Sequence, residues 1–260
     1  MKKFISAYWK TLLFFAIIGL VGGFFVGIYQ LDSFPVELQQ QVAEEIAQSG
    51  LDDFPVNLVL GITSAYQSAL YGLILGAIGI WLGKKTGLWK DEKSLTKKPL
   101  ILSLIIGVVG GIIMILADLL FFGNYSQAII DSYSVKPTIP YLIAMVTYGG
   151  VIEEVMLRLF FMSLIAFVLH KIFGKKNDKP TTTIFIVSNF IAALLFAAGH
   201  LPLTSILFGL TPMIVFRCFL LNGGLAVLFG HLYQKYGLRY AMVAHAGCHV
   251  VSKLIWILFI

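Results

Sequence analysis

Two adjacent glutamates and an arginine lie within a long apolar stretch of the sequence, from Pro140 to Leu169. Glu153, Glu154 and Arg158 stand out there, because a charged side chain inside a membrane is costly and usually serves a function. On a helix, Glu154 and Arg158 are four residues apart and share a face, while Glu153 lies about 100° away around the axis. We therefore expect Arg158 to pair with Glu154 and to leave Glu153 available for proton transfer.

Histidines follow in the later apolar segments of the chain, at His200, His231, His245 and His249. His245 and His249 are four residues apart, so they share one helix face. A carboxylate that takes a proton from water, a histidine that holds this water and a histidine that donates to an oxyanion together form a hydrolytic site. Two histidines and a glutamate also form one class of catalytic zinc site. The residue types alone leave both chemistries open, and we assign His231 to the membrane interface.

Two further charges, Asp118 and Arg217, fall in apolar segments outside these motifs. Unpaired charges are unfavourable inside a membrane, where ionisable residues usually pair with one another. We expect Asp118 and Arg217 to form an ion pair with each other and assign them no catalytic role.

The composition is that of an integral membrane protein. Hydrophobic residues make up 58% of the 260 residues and charged residues 12%, with a mean hydropathy of +0.89, whereas soluble domains contain about 25% charged residues. The predicted fold is all-α, a polytopic transmembrane helix bundle of about seven spans, in the range of roughly six to eight. The net charge of +6 does not indicate a nucleic-acid partner, because in membrane proteins the position of basic residues matters more than their sum.

Seven apolar segments are predicted to span the membrane. They cover residues 11–29, 56–82, 99–122, 140–173, 183–200, 212–234 and 238–260. The segment 140–173 is too long for one upright crossing, and Gly149 and Gly150 are positioned to kink it. A short re-entrant piece between Leu201 and Thr211 would change the number of spans by one.

An acidic segment, residues 31–53, follows the first span and is predicted to lie outside the cell. Pro35 and Pro55 each follow a short run of helix-capping residues, which predicts two helix starts. The first would open a short amphipathic helix at the membrane interface. Its apolar stripe would consist of Leu38, Val42 and Ile46.

The distribution of basic residues predicts a cytoplasmic N-terminus. Most of the 19 Lys and Arg residues lie at the N-terminus, in the loops 84–98 and 171–179, and at 235–239. The predicted outer loops contain Lys136 as their basic residue. Cytoplasmic loops carry an excess of Lys and Arg, so all of these basic segments are placed on the inner side.

Taken together, the motifs resemble those of a known family. In chain order they are Glu153-Glu154-x-x-x-Arg158, Phe196-x-x-x-His200, and His245 with a polar residue four positions later. This order resembles the CPBP family, the CAAX-prenyl-protease and bacteriocin-processing membrane endopeptidases. The resemblance predicts a CPBP-like catalytic core over residues 140–260. Residues 1–139 would add N-terminal transmembrane helices, and both parts would form a single integral membrane unit.

The resemblance implies roles for individual residues of an intramembrane endopeptidase. Glu153 would activate the water, and His200 would hold or share it. His245 would sit near the oxyanion. Glu154 and Arg158 would form the supporting pair.

Two positions depart from the family's pattern. His249 stands where the family usually has Asn; an amide always offers donors, whereas a neutral histidine offers one. Leu159 stands where the family often has Gly, a difference that we attribute to packing. The resemblance favours no obligatory metal. If zinc is present, its predicted ligands are Glu153, His200 and His245.

The implied substrate is a membrane-associated or lipidated peptide, and the expected surroundings are the lipids of a bacterial plasma membrane. Bacterial members of the family are linked to bacteriocin processing and self-immunity. The alternative function is non-enzymatic: a membrane immunity or scaffold protein, or a proton-coupled carrier. Chains of intramembrane glutamates and histidines also serve as proton relays.

Overall fold

The computed structural model describes residues 2–91, 94–174 and 177–260. Throughout these ranges the regular elements are helices, and no strand occurs. The helices are α1 (Lys2–Ser33), α2 (Val36–Gln48), α3 (Val56–Thr86), α4 (Lys97–Leu120), α5 (Gln127–Ser132), α6 (139–173), α7 (Thr182–Gly199), α8 (Leu201–Phe208), α9 (Pro212–Tyr236) and α10 (Leu238–Phe259). Lys93, Lys175 and Lys176, which the sequence assigns to cytoplasmic loops, lie outside the described residues.

Six helical segments among the described residues are long and apolar enough to cross a membrane. They are Lys3–Ser33, Val56–Thr86, Lys97–Tyr125, Thr182–Phe208, Pro212–Tyr236 and Leu238–Phe259. Helix α6, which carries the two glutamates, is a further long helical segment. The prediction of an all-α polytopic bundle of about seven spans is confirmed, and the protein is an integral membrane protein.

One predicted span boundary is wrong. The span expected to end at His200 continues through α8 to Phe208, so His200 lies inside a span and the 201–211 region is not a separate re-entrant piece. The helix restarts directly after His200. Pro202 lies in the first turn of α8, where its missing N–H is tolerated.

The acidic segment forms the predicted amphipathic helix. Helix α2 follows Pro35 and α3 follows Pro55, so both predicted helix starts are confirmed. The apolar stripe of α2 is half-buried, whereas Glu44 on the opposite face is exposed. This arrangement fits a helix that lies along a boundary between apolar and polar surroundings.

Glycines allow the long helices to approach one another closely. A Cβ atom at Gly19 of α1 would lie 2.5 Å from the carbonyl oxygen of Ser68 in α3. A Cβ atom at Gly107 of α4 would lie 2.9 Å from the carbonyl oxygen of Ala244 in α10. Small residues at such contacts are the usual basis of helix packing in membranes. The contact between α4 and α10 joins the predicted N-terminal part to the predicted catalytic core.

Three basic connections meet at one end of the bundle. A Cβ atom at Gly87, after α3, would lie 3.5 Å from Cδ of Lys179, which precedes α7. A Cβ atom at Gly237, between α9 and α10, would lie 3.2 Å from Cγ of Lys90. We call this the basic end of the bundle. Its grouping of lysines agrees with the charge pattern in the sequence, and its cytoplasmic location stays a prediction.

The ion pair predicted between Asp118 and Arg217 is present. Arg217 Nε donates to Asp118 Oδ1 at 2.6 Å, and the Tyr133 hydroxyl donates to Asp118 Oδ2 at 2.9 Å. Both charged side chains are largely buried. Because the pair joins α4 to α9, it ties two spans together, and each charge has a partner.

Candidate active site

The helix that carries the two glutamates departs from regular α-helical geometry. Within α6, π-helical stretches run over Met145–Ile152 and Val155–Met162, and Glu153 and Glu154 lie between them. Such wider turns are rare and occur frequently at functional sites. Where the sequence predicts a kink at the paired glycines, the structure has the first of these stretches.

Glu154 is the buried centre of the cluster. Its side chain is 0% exposed, and its Oε1 lies 3.1 Å from Nη1 of Arg158. The same oxygen accepts a hydrogen bond from Nδ1 of His245 on α10, at 2.8 Å. The predicted pairing of Glu154 with Arg158 is therefore confirmed. The bond to His245 is an addition that the sequence did not predict.

Arg158 is enclosed by groups from two further helices. Its Nη2 donates to the carbonyl oxygen of Ala226 on α9 at 3.1 Å. Its Cζ lies 4.9 Å from the ring centre of Phe196 and 5.6 Å from that of Phe229, distances typical of cation–π contacts. Phe229 also stacks on the ring of His245, with centroids 4.7 Å apart. Arg158 thus anchors α6 to α7 and α9.

Glu153 is the second carboxylate, and its environment is different. Its side chain is 18% exposed, and its Oε2 lies 3.9 Å from Nε2 of His245. Because an ionised Glu154 can only accept a hydrogen bond, Nδ1 of His245 carries the proton of that contact. In neutral His245, the Nε2 atom that faces Glu153 is then unprotonated. The separation of 3.9 Å is too long for a direct hydrogen bond and suits a bridging water.

The other two histidines adjoin this cluster. His249 stacks on His245 with ring centroids 4.9 Å apart, and a Cβ atom at Gly149 would lie 2.8 Å from its Nε2. The Nδ1 atom of His200 hydrogen-bonds to the carbonyl oxygen of Phe196 at 2.9 Å. The Phe196 ring also contacts the rings of His200 and His245, at centroid distances of 4.5 and 5.8 Å. His200 is therefore linked to the cluster through Phe196.

The structure thus brings Glu153, Glu154, Arg158 and His245 into one cluster, with His249 stacked on it and His200 reached through an aromatic ring. Phe196 was predicted only as part of a motif, and Phe229 was not singled out. No signal in the sequence marks Phe229, because a phenylalanine in an apolar span is ordinary. His231 is exposed, and its assignment to the membrane interface stays a prediction.

The same residues do not fit a three-ligand zinc site in this arrangement. Within residues 2–91, 94–174 and 177–260, no three His, Cys, Asp or Glu side chains are grouped so as to hold a metal ion. His245 and Glu153 are near neighbours, but a catalytic zinc site needs three protein ligands. The expectation that no metal is obligatory stays a prediction.

The fold and the cluster define a class: a polytopic membrane protein with buried glutamates, histidines and an arginine at its centre. Residues 135–251 match the family model described as Type II CAAX prenyl endopeptidase Rce1-like. The matched range contains all six predicted site residues, and it confirms the family resemblance inferred from the sequence. No curated protein and no solved structure matches the chain.

Gly150 sets the spacing between the helices of the site, and its substitution provides a test. A Cβ atom at Gly150 would lie 2.7 Å from the Cβ of Ala246 on α10, one residue from His245. We expect Gly150→Val to push α10 outward and to lower the free energy of unfolding by about 1–3 kcal/mol, as overpacking does. Thermal unfolding in detergent measures this loss. The matched control is Gly224→Ala, because a Cβ atom at Gly224 meets nothing within 4 Å. Equal stability of Gly150→Val and wild type would show that the contact is unimportant.

Proposed function

We propose that the protein is an intramembrane endopeptidase that hydrolyses a peptide bond of a membrane-associated substrate with water activated by Glu153. One observation carries the proposal: the two carboxylates are held differently. Glu154 is fully buried and is bound to Arg158 and His245, whereas Glu153 is partly exposed and faces the other nitrogen of His245. The match to a family of prenyl endopeptidases supports the same conclusion.

In the proposed reaction, water lies between the Glu153 carboxylate and Nε2 of His245. Glu153 takes a proton from the water as the water oxygen attacks the carbonyl carbon of the peptide bond, and the carbonyl oxygen becomes an oxyanion. Glu153 then gives the proton to the amide nitrogen as the C–N bond breaks. The products are a carboxylic acid and an amine, and proton transfer from the acid to the amine then gives a carboxylate and an ammonium group. General base catalysis of this kind typically contributes roughly 10²–10⁴-fold in rate.

The hydrogen bond between His245 and Glu154 changes the role that the resemblance implies for His245. A neutral His245 has no proton on Nε2, so it accepts a hydrogen bond from water and does not donate to the oxyanion. His200 likewise donates from Nδ1 to a backbone carbonyl. In neutral His200 the Nε2 atom therefore carries no proton and cannot donate to the oxyanion either. His249 is the remaining histidine of the cluster, and its Nδ1 has no hydrogen-bond partner among the described residues. We therefore assign the oxyanion donor to His249.

The family match also bears on the substrate. The name of the matched family refers to CAAX prenyl endopeptidases. We extend this to the present chain as a lipidated or membrane-tethered peptide, held among the membrane lipids beside α6 and α10. A role in bacteriocin processing or self-immunity, a bacterial membrane and a cytoplasmic N-terminus stay predictions from the sequence.

A cleavage assay with a His245 variant tests the proposal. The purified protein is reconstituted in liposomes with a farnesylated CAAX peptide or with the same peptide lacking the lipid, and released fragments are measured by mass spectrometry. We expect His245→Gln to lower cleavage by roughly 10²-fold or more, because the weakly basic amide of glutamine holds the water less well than the imidazole nitrogen does. His170→Gln, in the last turn of α6, is the matched control and should retain activity. Full cleavage by His245→Gln would contradict the proposed water site.

A further inference from the structure

A narrow groove runs between α6 and α10, in the half of the bundle away from the basic end. Its lining extends from Leu142 to Val146 on α6 and from His249 to Ile257 on α10. Its volume is about 160 Å³, and apart from His249 and one lysine its lining residues are apolar. Leu254, one of these, is 50% exposed on a transmembrane helix, so the groove opens to the surrounding lipid.

One end of the groove meets the proposed active site. His249 lines the groove and stacks on His245, with ring centroids 4.9 Å apart. In the proposed reaction, His249 donates to the oxyanion that forms on the carbonyl group of the cleaved bond. The groove therefore begins where the cleaved bond must lie, and a substrate bound there has one flank beside the apolar lining.

The lysine of the groove is Lys253, which lies one helical turn beyond His249. Its Nζ atom lies 5.2 Å from the ring centre of Tyr141 and 5.4 Å from that of Trp256. Both distances are typical of cation–π contacts. Trp256 is a further turn along α10, so the two rings hold the ammonium group of Lys253 toward the end of the groove that is remote from His249.

The charge of Lys253 has no anionic partner in the described part of the chain. Arg158 and Arg217, the cations within the later spans, pair with Glu154 and Asp118. No such ion pair is formed by Lys253 among the residues that the structure describes. Aromatic rings attract a cation but do not neutralise it. Because ionisable groups within membrane spans usually have a partner or a function, the missing anion points to a ligand.

The length and lining of the groove limit what this ligand is. From His249 to Ile257 a helix rises about 12 Å, and an extended peptide rises about 3.3 Å per residue. The groove therefore takes roughly three or four residues of extended peptide. Its occupant must be apolar along its length and must carry an anion near Lys253. The C-terminal end of an apolar peptide has both properties, whereas an N-terminal amine would be repelled by the lysine.

We propose that this groove binds the apolar C-terminal residues of the substrate and that Lys253 binds their terminal carboxylate. The inference rests on the proposed endopeptidase function and specifies which part of the substrate is recognised. An internal segment of a protein has no carboxylate at this distance from the cleaved bond. The enzyme would therefore select peptide bonds close to a free C-terminus, and the charge of Lys253 would act on binding and not on the chemical step.

Binding to an inactive variant tests this site without cleavage. The Glu153→Gln protein is placed in nanodiscs of phosphatidylcholine, which has no net charge to compete for Lys253. A farnesylated CAAX peptide with a fluorophore at its N-terminus is added either with a free C-terminal carboxylate or as the C-terminal amide. Fluorescence anisotropy gives the Kd of each form after subtraction of binding to empty nanodiscs. We expect the carboxylate form to bind roughly 10-fold or more tightly than the amide.

Three variants in the Glu153→Gln background make the outcome specific. Lys253→Met keeps the length of the apolar stem and should remove the preference for the carboxylate. Lys171→Met is the matched control, because Lys171 also lies over an aromatic ring, 5.6 Å from the centre of Phe167, but is outside the groove; it should keep the preference. Val250→Trp fills the groove at a position that is 41% exposed and should weaken binding of both forms. Thermal unfolding checks that each variant folds.

The outcomes separate this proposal from the proposed function. Equal binding of the two peptide forms, or a preference that survives Lys253→Met, would overturn the carboxylate site. Undiminished binding by a folded Val250→Trp variant would overturn the groove. In the active protein, Lys253→Met should raise the KM for the carboxylate peptide roughly 10-fold with little change in kcat. Cleavage of both peptide forms with equal KM would refute the carboxylate site and leave the endopeptidase function standing, whereas a binding preference without any cleavage would refute the function and support the site.

Discussion

The Glu153→Gln variant should fold like the wild type and lose nearly all peptide cleavage. Glutamine matches glutamate in size, and the side chain is partly exposed, so the substitution should cost little stability. The amide, however, cannot accept the proton of the attacking water. We expect cleavage to fall by roughly 10²–10⁴-fold, measured as the rate of fragment release from the lipidated peptide in liposomes.

The controls for this experiment separate catalysis from other effects of charge. Glu45→Gln removes an exposed carboxylate from α2 and should leave cleavage unchanged. A double variant, Glu153→Gln/His245→Gln, should be little worse than either single variant, because residues that act as a unit lose their effects non-additively. Full cleavage by Glu153→Gln would refute the proposed mechanism. Immunity or transport that survives the loss of both Glu153 and His200 would support the non-enzymatic alternative.

Replacing Arg158 with leucine should damage stability and activity together. The change leaves Glu154 buried without its cationic partner and leaves the Ala226 carbonyl without the hydrogen bond from Nη2. Breaking a buried pair from one side typically costs about 3–5 kcal/mol of the free energy of unfolding. We expect a loss of this size in thermal or denaturant unfolding in detergent. Cleavage should fall too, because Glu154 no longer holds His245 in place.

The double variant Glu154→Leu/Arg158→Leu should recover much of this stability, since no lone buried charge remains. It should not recover activity, because Nδ1 of His245 would lose its acceptor. A double-mutant cycle on unfolding and on cleavage measures the two couplings separately. Arg217→Leu breaks another buried pair and is the matched control, with lower stability but normal cleavage per folded molecule. Additive losses of stability for the two site substitutions would mean that Glu154 and Arg158 are not coupled.

Local spacing and the cost of buried charge were sufficient to predict part of the site. Glu154 and Arg158 are one helical turn apart, so their contact follows from the periodicity of a helix. Asp118 and Arg217 are distant in the chain, but each needed an opposite charge inside the membrane, and the sequence offered few others. The number and order of the spans followed from hydropathy in the same way.

The other contacts of the site depend on tertiary packing, which helix periodicity and the cost of buried charge do not predict. The bond between Glu154 and His245 joins residues 91 positions apart, and its geometry depends on how α6 and α10 cross. The aromatic rings around Arg158 come from α7 and α9 and look like ordinary apolar residues in the sequence. The boundary at His200 was wrong because the helix restarts directly after this residue, with Pro202 in the first turn of α8, and hydropathy alone does not locate such a junction.

The π-helical stretches beside Glu153 and Glu154 have a consequence for comparing this chain with its relatives. A π-helical turn closes its hydrogen bond one residue later than an α-helical turn. A relative that lacks one residue in Met145–Ile152 can therefore keep a continuous helix by adopting α-helical geometry there, and its paired glutamates can stay in the same place. Insertions and deletions of single residues beside this motif are then compatible with a preserved site. An alignment that allows no gap within this helix would shift the paired glycines by one position relative to the paired glutamates. Equivalent residues of the two chains would then not be aligned with each other.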